Sequence, residues 1–142
     1  MGPLLEAHGG GRLTRYLLDT TVLIAHLRGD EGVSAFLREL LASGHTLGVC
    51  CVNVAEIEHG IRTRERRAVS ALLDRLTFLE TTREAARRAG RYQSEFRGKG
   101  RTIHTADALV AGTARAHGAV LVTDNTEDFP MRDVKVLRPP VS

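Results

Sequence analysis

Short, fully apolar segments alternate with longer helical segments along this chain, and this alternation constrains the fold more than any other feature of the sequence. The apolar segments are only a few residues long and are bounded by turn or helix signals, which is typical of buried strands. Strands that are apolar on both faces belong to parallel sheets covered by helices on both sides. The sequence therefore predicts an α/β domain built from βα units.

The alternation can be divided into elements. The predicted strands span residues 15–19, 46–51, 77–79, 119–123 and 134–137. The predicted helices span residues 22–28, 31–42, 53–64, 66–76, 82–96 and 105–117. The chain has 142 residues, and no repeat or linker divides these elements. We therefore expect one domain over residues 14–142, preceded by a disordered, glycine-rich leader at residues 1–13.

The sequence also bears on where such a chain works. No apolar run approaches the roughly 20 residues of a membrane-spanning helix, and the N-terminus lacks the apolar stretch of a secretory signal. The two cysteines, Cys50 and Cys51, are adjacent in an apolar run, so we expect buried reduced thiols rather than a disulfide framework. These features favour a cytoplasmic protein that does not associate with a membrane.

Basic residues are concentrated in one segment. Residues 62–101 contain 12 basic and 5 acidic residues, although the net charge of the whole chain is only +3. Most of the basic residues are arginines, whose planar guanidinium suits phosphate groups. A polyanion such as nucleic acid is therefore one possible partner, and a biased composition with solvated helix faces is the alternative.

Carboxylates follow the predicted strands at four junctions with helices or turns. Asp19 ends the first strand, Glu56 follows the second, Asp107 opens the last helix and Asp124 follows the fourth strand. Because the carboxyl ends of parallel strands meet at one edge of a sheet, these four side chains are expected to converge there. Asn125 lies next to Asp124 and is an alternative for the fourth position.

Converging carboxylates repel one another unless a cation neutralises them. Oxygen ligands without a histidine or cysteine cluster select Mg²⁺ or Mn²⁺ rather than zinc. A divalent cation held in this way assists hydrolysis of a phosphodiester, so the pattern favours a metal-dependent nuclease.

Local explanations exist for two of these acids. Asn53 and Glu56 have the spacing of a helix capping box, with Asn53 as the cap and Glu56 reaching back. Asp107 could instead complement the dipole of its helix. Asp19 has no such explanation beyond a turn.

Four motifs together resemble a known family, the PIN-domain ribonucleases, and within it the VapC-type toxins of bacterial toxin–antitoxin systems. The motifs are residues 17–24 (LLDTTVLI), 53–60 (NVAEIEHG), 105–114 (TADALVAGTA) and 121–129 (LVTDNTEDF). Each motif alone is weak, but all four occur in order over nearly the whole chain after residue 16.

The resemblance implies a PIN-like domain with a parallel five-stranded sheet in the order 3-2-1-4-5 and helices on both faces. It also implies an endoribonuclease toxin whose catalytic and metal-holding residues include Asp19, Glu56 and Asp107, with Mg²⁺ or Mn²⁺ as the cofactor. Arginines of residues 62–101 would contact the RNA backbone. A homodimer and a cognate VapB-type antitoxin are the implied protein partners.

The fourth motif departs from the family pattern, which places its polar residue at Asn125, with acids on either side at Asp124 and Asp128. We expect Asp124 to complete the site because it directly follows the strand and carries a charge. Two other functions remain open. One is a catalytically silent PIN-like module that binds RNA or protein. The other is a phosphatase with Asp19 as nucleophile, which Thr21 disfavours because such enzymes usually carry a second aspartate at that position.

Overall fold

A computed structural model describes residues 12–140 of the chain. Most of the predicted leader, residues 1–11, lies outside the described residues, as do residues 141–142. Of the predicted leader, Arg12 and Leu13 are described, and both side chains are exposed. The leader therefore stays a prediction.

The described residues form five strands and six α-helices. The strands are β1 Arg15–Leu18, β2 Thr46–Val49, β3 Thr77–Phe78, β4 Val120–Val122 and β5 Val136–Leu137. The α-helices are α1 Thr20–Leu27, α2 Glu31–Ala42, α3 Cys51–Gly60, α4 Arg66–Arg75, α5 Arg83–Arg97 and α6 Thr105–Ala116. Two short 3₁₀ helices span Thr63–Glu65 and Thr126–Asp128.

All five strands are parallel and lie in the order β3-β2-β1-β4-β5. In the centre of the sheet, Leu18 of β1 is opposite Val122 of β4. The α/β class predicted from the alternation is confirmed, and so is the strand order implied by the resemblance. In this order β1 and β4 are neighbours, so the residues that follow them meet at one edge of the sheet.

Each face of the sheet is covered by its own hydrophobic core. Tyr16 and Leu18 of β1 belong to a core shared with α1, α2, α3 and α4. Leu17, between them in sequence, belongs to a second core shared with α5 and α6. Successive side chains of a strand point to opposite faces, so a strand between two helical layers must be apolar at every position. This explains why the strands read as continuous apolar runs.

The predicted helix at residues 53–64 is wrong at both ends. The helix starts at Cys51, because β2 already ends at Val49, and it stops at Gly60. Ile61 has an extended backbone, and Glu65 then accepts a 2.9 Å hydrogen bond from the main-chain nitrogen of Arg62 to start a separate 3₁₀ helix. A local side-chain contact thus ends what the sequence pattern presents as one helix.

Two smaller findings concern the cysteines and the helix lengths. Both cysteines are free, and Cys50 is buried as predicted, but Cys51 is exposed because it is the first residue of α3. No helix within residues 12–140 is both long enough and apolar enough to span a membrane.

Candidate active site

Asp19 is fixed at the carboxyl end of β1 by the neighbouring strand. Its main-chain nitrogen donates a 2.9 Å hydrogen bond to the oxygen of Val122, so the β1–β4 pairing continues one residue beyond β1. Asp19 then becomes the N-cap residue of α1, although its side chain makes no capping hydrogen bond. Asp19 as a residue is only 8% exposed and is therefore held inside the sheet edge rather than in open solvent.

Two side chains donate hydrogen bonds to the Asp19 carboxylate. Oγ1 of Thr123, the residue after β4, donates to Oδ2 at 2.8 Å. Nδ2 of Asn53, on α3, donates to Oδ1 at 3.4 Å. Each carboxylate oxygen thus has its own donor, which fixes the plane of the carboxyl group.

Glu56 is joined to the same network through a threonine. Oγ1 of Thr20 donates to Oε1 of Glu56 at 2.6 Å, and Nδ2 of Asn53 lies 3.3 Å from the same threonine oxygen. Asn53 and Glu56 are three residues apart on α3, so they occupy the same side of the helix. The resulting chain of hydrogen bonds links Asp19 to Glu56, which are 37 positions apart in the sequence.

The capping-box interpretation of Glu56 is wrong. The N-cap residue of α3 is Cys50, and its main-chain nitrogen donates to Oδ1 of Asn53 at 3.1 Å. Asn53 is therefore the third helical residue and itself closes the capping box. Glu56 lies in the next turn, where its carboxylate is bonded to Thr20 rather than to the helix terminus.

Asp107 is the third residue of α6, whose N-cap is His104. Burial, and after it the negative charges of Asp128, Asp19 and Glu56, raise the pKa of its carboxyl to about 6, although His104 acts in the opposite direction. These charges act on Asp107 only if the carboxylates lie near one another. The structure therefore brings Asp107 within electrostatic reach of Asp19 and Glu56.

The electrostatics at the fourth position favour Asp128 over Asp124. Asp128 is the last residue of the 3₁₀ helix Thr126–Asp128. Its charge raises the pKa of both Asp19 and Asp107, after the larger effect of burial in each case. Asp124 is not among the charges that act most strongly on either carboxyl. We call Asp19, Glu56, Asp107 and Asp128 the acidic cluster.

Asn125, the alternative fourth residue, has a main-chain role. Its nitrogen donates a 3.0 Å hydrogen bond to Oγ1 of Thr123, which in turn donates to Asp19. The turn after β4 therefore orients the threonine that orients the first acid.

The acidic cluster has an excess of negative charge. Within residues 12–140, none of its four carboxylates forms a salt bridge with an arginine or lysine. In the same described range, no three histidine, cysteine or acidic side chains are gathered tightly enough to enclose a metal ion. Mg²⁺ needs no such enclosure, because it usually keeps several waters and binds one or two protein carboxylates directly. Oxygen donors with unneutralised charge therefore fit a hard divalent cation.

Three site residues escaped the sequence reasoning, because none of them is acidic. Thr20 directly follows Asp19, and Thr123 directly follows β4. Asn53 lies one helical turn before Glu56. Their positions next to candidate acids are the only sequence signal that could have identified them.

Comparison with known proteins adds three findings. The family model for the PIN domain matches residues 16–135. The chain is 33% identical over 115 residues to ribonuclease VapC19 of Mycobacterium tuberculosis, covering 81% of this chain and 92% of that protein. It is 38% identical over 124 residues to ribonuclease VapC10 of the same organism, covering 87% of this chain and 91% of that protein.

The fold also resembles solved structures. One of them is a crystal structure of VapBC2 from Rickettsia felis bound to a DNA fragment from its promoter. It superimposes with a TM-score of 0.79 at 23% identity and covers 89% of this chain and all of that chain. At this identity the likeness concerns the fold alone.

Proposed function

Because this chain belongs to the PIN-domain family and groups there with the VapC ribonucleases, we propose that it is an endoribonuclease toxin that uses a divalent metal. The observation that carries the proposal is the acidic cluster: the charges of Glu56 and Asp128 act on both Asp19 and Asp107, and within residues 12–140 none of the four carboxylates forms a salt bridge with an arginine or lysine. The hydrogen bonds from Thr123, Asn53 and Thr20 support it, because they orient two of the acids in advance of any ligand.

Carboxylates of the acidic cluster would hold Mg²⁺ or Mn²⁺, one or two of them directly and the others through water. A cation bound there would activate a water molecule and stabilise the charge that develops on the attacked phosphate. Asp19 is the central residue, since its two oxygens are separately fixed by Thr123 and Asn53. Glu56 and Asp107 approach from α3 and α6, and Asp128 replaces Asp124 as the fourth acid in this proposal.

The protein's own contribution is to hold charge at a fixed place. Burial favours the neutral form of Asp19, whereas the hydrogen bond from Thr123 favours its ionised form, and burial has the larger effect on its pKa. A cation at the site would reverse this balance and keep the carboxylates ionised. The acidic cluster is therefore expected to bind metal and release protons together.

RNA is the proposed substrate, and the exposed face of α5 is the proposed contact. Arg83, Arg87 and Arg91 follow one another at four-residue spacing, so they form a stripe on one side of the helix. All three side chains are exposed, and none forms a salt bridge within residues 12–140. Arg88 differs, because it pairs with Asp133 at 3.2 Å.

A VapB-type antitoxin is the proposed partner, and the proposed location is the cytoplasm. The family membership supports the partner, since its VapC members work in pairs with such antitoxins. A homodimer is proposed on the same ground. Size-exclusion chromatography with light scattering would report a mass near twice 15.5 kDa if the dimer forms.

A catalytically silent binding module is the alternative. The absence of a tight three-ligand group within residues 12–140 is the one observation in its favour. The two functions differ in the fate of RNA, because a silent module would bind it and leave it intact.

The direct test is Mn²⁺-dependent cleavage of RNA by the purified chain and by the Asp19→Asn variant. Asparagine keeps the volume and one of the two acceptor oxygens but removes the charge, so we expect cleavage to fall by more than about 100-fold. Circular dichroism checks that the variant is folded. Cleavage by Asp19→Asn at the parental rate would contradict the proposal, and RNA binding without cleavage by the parent would favour the silent module.

Glu56→Gln is the companion variant. Its amide oxygen can still accept the hydrogen bond from Thr20, so we expect a large loss of cleavage with little change in melting temperature. Loss of stability with retained cleavage would instead assign Glu56 a structural role.

A further inference from the structure

The 3₁₀ helix Thr126–Asp128 is held by two arginines from distant parts of the chain. Nη2 of Arg101 donates a hydrogen bond to the main-chain oxygen of Glu127. Nη2 of Arg138 donates to Oγ1 of Thr126 at 2.9 Å and lies 3.6 Å from a carboxylate oxygen of Glu127. Asp128 follows Glu127 directly, so contacts to this short helix decide where its carboxylate lies.

Arg101 is itself fixed in a tight turn after α5. Its main-chain nitrogen donates to the oxygen of Phe96 at 2.8 Å, and that of Gly100 donates to Arg97 at 3.0 Å. Gly100 has a φ of +78°, a left-handed conformation that glycine adopts without strain. The side chain of Arg101 therefore extends toward the 3₁₀ helix from a backbone that is already ordered.

The contact with Glu127 uses the backbone and leaves the charge of Arg101 uncompensated. Within the described residues Arg101 forms no salt bridge, so it does not neutralise the acidic cluster. A guanidinium bound to a main-chain oxygen next to a functional acid can position that acid without pairing with it.

We propose that Arg101 is a positioning residue that holds the 3₁₀ helix Thr126–Asp128 so that Asp128 contributes to the cation site. The inference rests on the proposed function, because it concerns the metal site proposed there. It makes the turn after α5 part of the metal site, although no residue of that turn is acidic.

Metal binding without RNA separates this role from a phosphate contact. An arginine that only touches RNA does not change the affinity for Mn²⁺ when RNA is absent. We therefore propose to measure Mn²⁺ affinity by isothermal titration calorimetry for the parent, Arg101→Ala, Asp128→Ala and the double variant. Loss of a residue that supports a metal ligand typically weakens affinity by roughly 10-fold or more.

We expect the effects of the two substitutions on Mn²⁺ affinity to be non-additive. Arg101→Ala and Asp128→Ala should each weaken Mn²⁺ binding, and the double variant should bind about as weakly as Asp128→Ala alone. Arg101→Lys keeps one N–H donor and should retain most of the affinity. Arg97→Ala is the matched control: it removes an arginine charge four positions away, and among the described residues the side chains that bond to the 3₁₀ helix are those of Arg101 and Arg138. Its Mn²⁺ affinity should stay at the parental value.

Three results would overturn the inference. Parental Mn²⁺ affinity in Arg101→Ala, with weakened RNA binding, would make Arg101 an RNA contact only. Fully additive effects of the two substitutions would mean that Arg101 acts independently of Asp128. Parental Mn²⁺ affinity in Asp128→Ala would remove Asp128 from the site. It would leave the proposed function untouched, because that function is tested by RNA cleavage with Asp19→Asn.

Arg101→Gln provides a second route if the alanine variant does not fold. Glutamine keeps part of the side-chain packing and loses the guanidinium, so it should weaken Mn²⁺ binding as alanine does. Equal affinity in the glutamine and lysine variants would overturn the proposal.

Discussion

Oγ1 of Thr123 donates a 2.8 Å hydrogen bond to Oδ2 of Asp19, joining two residues that are 104 positions apart in sequence. The pairing of β1 with β4 makes this contact possible, because Leu18 and Val122 are opposite each other and Asp19 and Thr123 are the next residues. Thr123 also accepts a hydrogen bond from the nitrogen of Asn125 at 3.0 Å. One buried hydroxyl therefore connects the first acid to the turn that leads to the fourth.

Thr123→Val is expected to reduce RNA cleavage by about 10-fold or more, because it leaves Asp19 without the donor that orients it. It should also lower the free energy of unfolding by about 1–3 kcal/mol, since the nitrogen of Asn125 loses its partner. Thr123→Ser keeps the hydroxyl and is the matched control. Urea unfolding and single-turnover cleavage measure the two effects. Equal cleavage by the valine and serine variants would show that the hydroxyl does not orient Asp19.

Asp107→Asn is expected to stabilise the metal-free protein at pH 7.5. The pKa of Asp107 rises from an ordinary 3.8 to about 6 in the fold, so the folded state binds more protons than the unfolded state between these values. Stability contributed by Asp107 therefore falls as pH rises through this window. After allowance for partial exposure, the effect is on the order of 1 kcal/mol.

Melting temperatures of the parent and Asp107→Asn measured from pH 4 to pH 7.5 test this sign. The advantage of the variant should be largest at pH 7.5 and should become small near pH 4, where the carboxyl of the folded parent is protonated and uncharged like the asparagine. Saturating Mn²⁺ at pH 7.5 should raise the melting temperature of the parent more than that of the variant. An advantage that grows as pH falls would contradict the assignment.

Replacement of Arg83, Arg87 and Arg91 by alanine is expected to weaken binding of single-stranded RNA regardless of its sequence. Each lost phosphate contact should flatten the dependence of log affinity on log salt by about 0.7, or by about 2 for all three. Filter binding from 50 to 200 mM salt measures the slope. Arg38→Ala, on α2 and outside the basic segment, is the control and should leave the slope unchanged. A parental slope in the triple variant would assign this face of α5 to a protein partner.

Gly112→Ala is expected to destabilise the protein by about 1–3 kcal/mol. A Cβ at this position of α6 would collide with the main-chain oxygen of Ala85 on α5, and backbone cannot move aside as a flexible side chain can. Gly90→Ala, on α5, is the matched control because a Cβ there would have no neighbour within 4 Å. It should be neutral or stabilise the helix by up to about 1 kcal/mol. Equal urea midpoints for the two variants would mean that the helices separate at little cost.

The sequence by itself determined the layers of this protein and three of its candidate acids. Strands such as Arg15–Leu18 are apolar at nearly every position because both faces of the sheet are covered, and that pattern is visible without a structure. Asp19, Glu56 and Asp107 could be proposed as site residues because parallel strands end at a common edge. The family resemblance added the order of the strands.

Only the tertiary structure decided how these acids are held and which further charge acts on them. Glu56 fitted a capping box by local spacing, but its partner is Thr20, which lies 36 positions earlier. Asp124 was favoured because it directly follows β4, whereas the 3₁₀ helix Thr126–Asp128 carries Asp128 to where its charge acts on Asp19 and Asp107. Periodicity reports burial along one segment of chain. Hydrogen bonds and charge interactions depend on distances between segments, and these are fixed only when the strands pair and the helices pack.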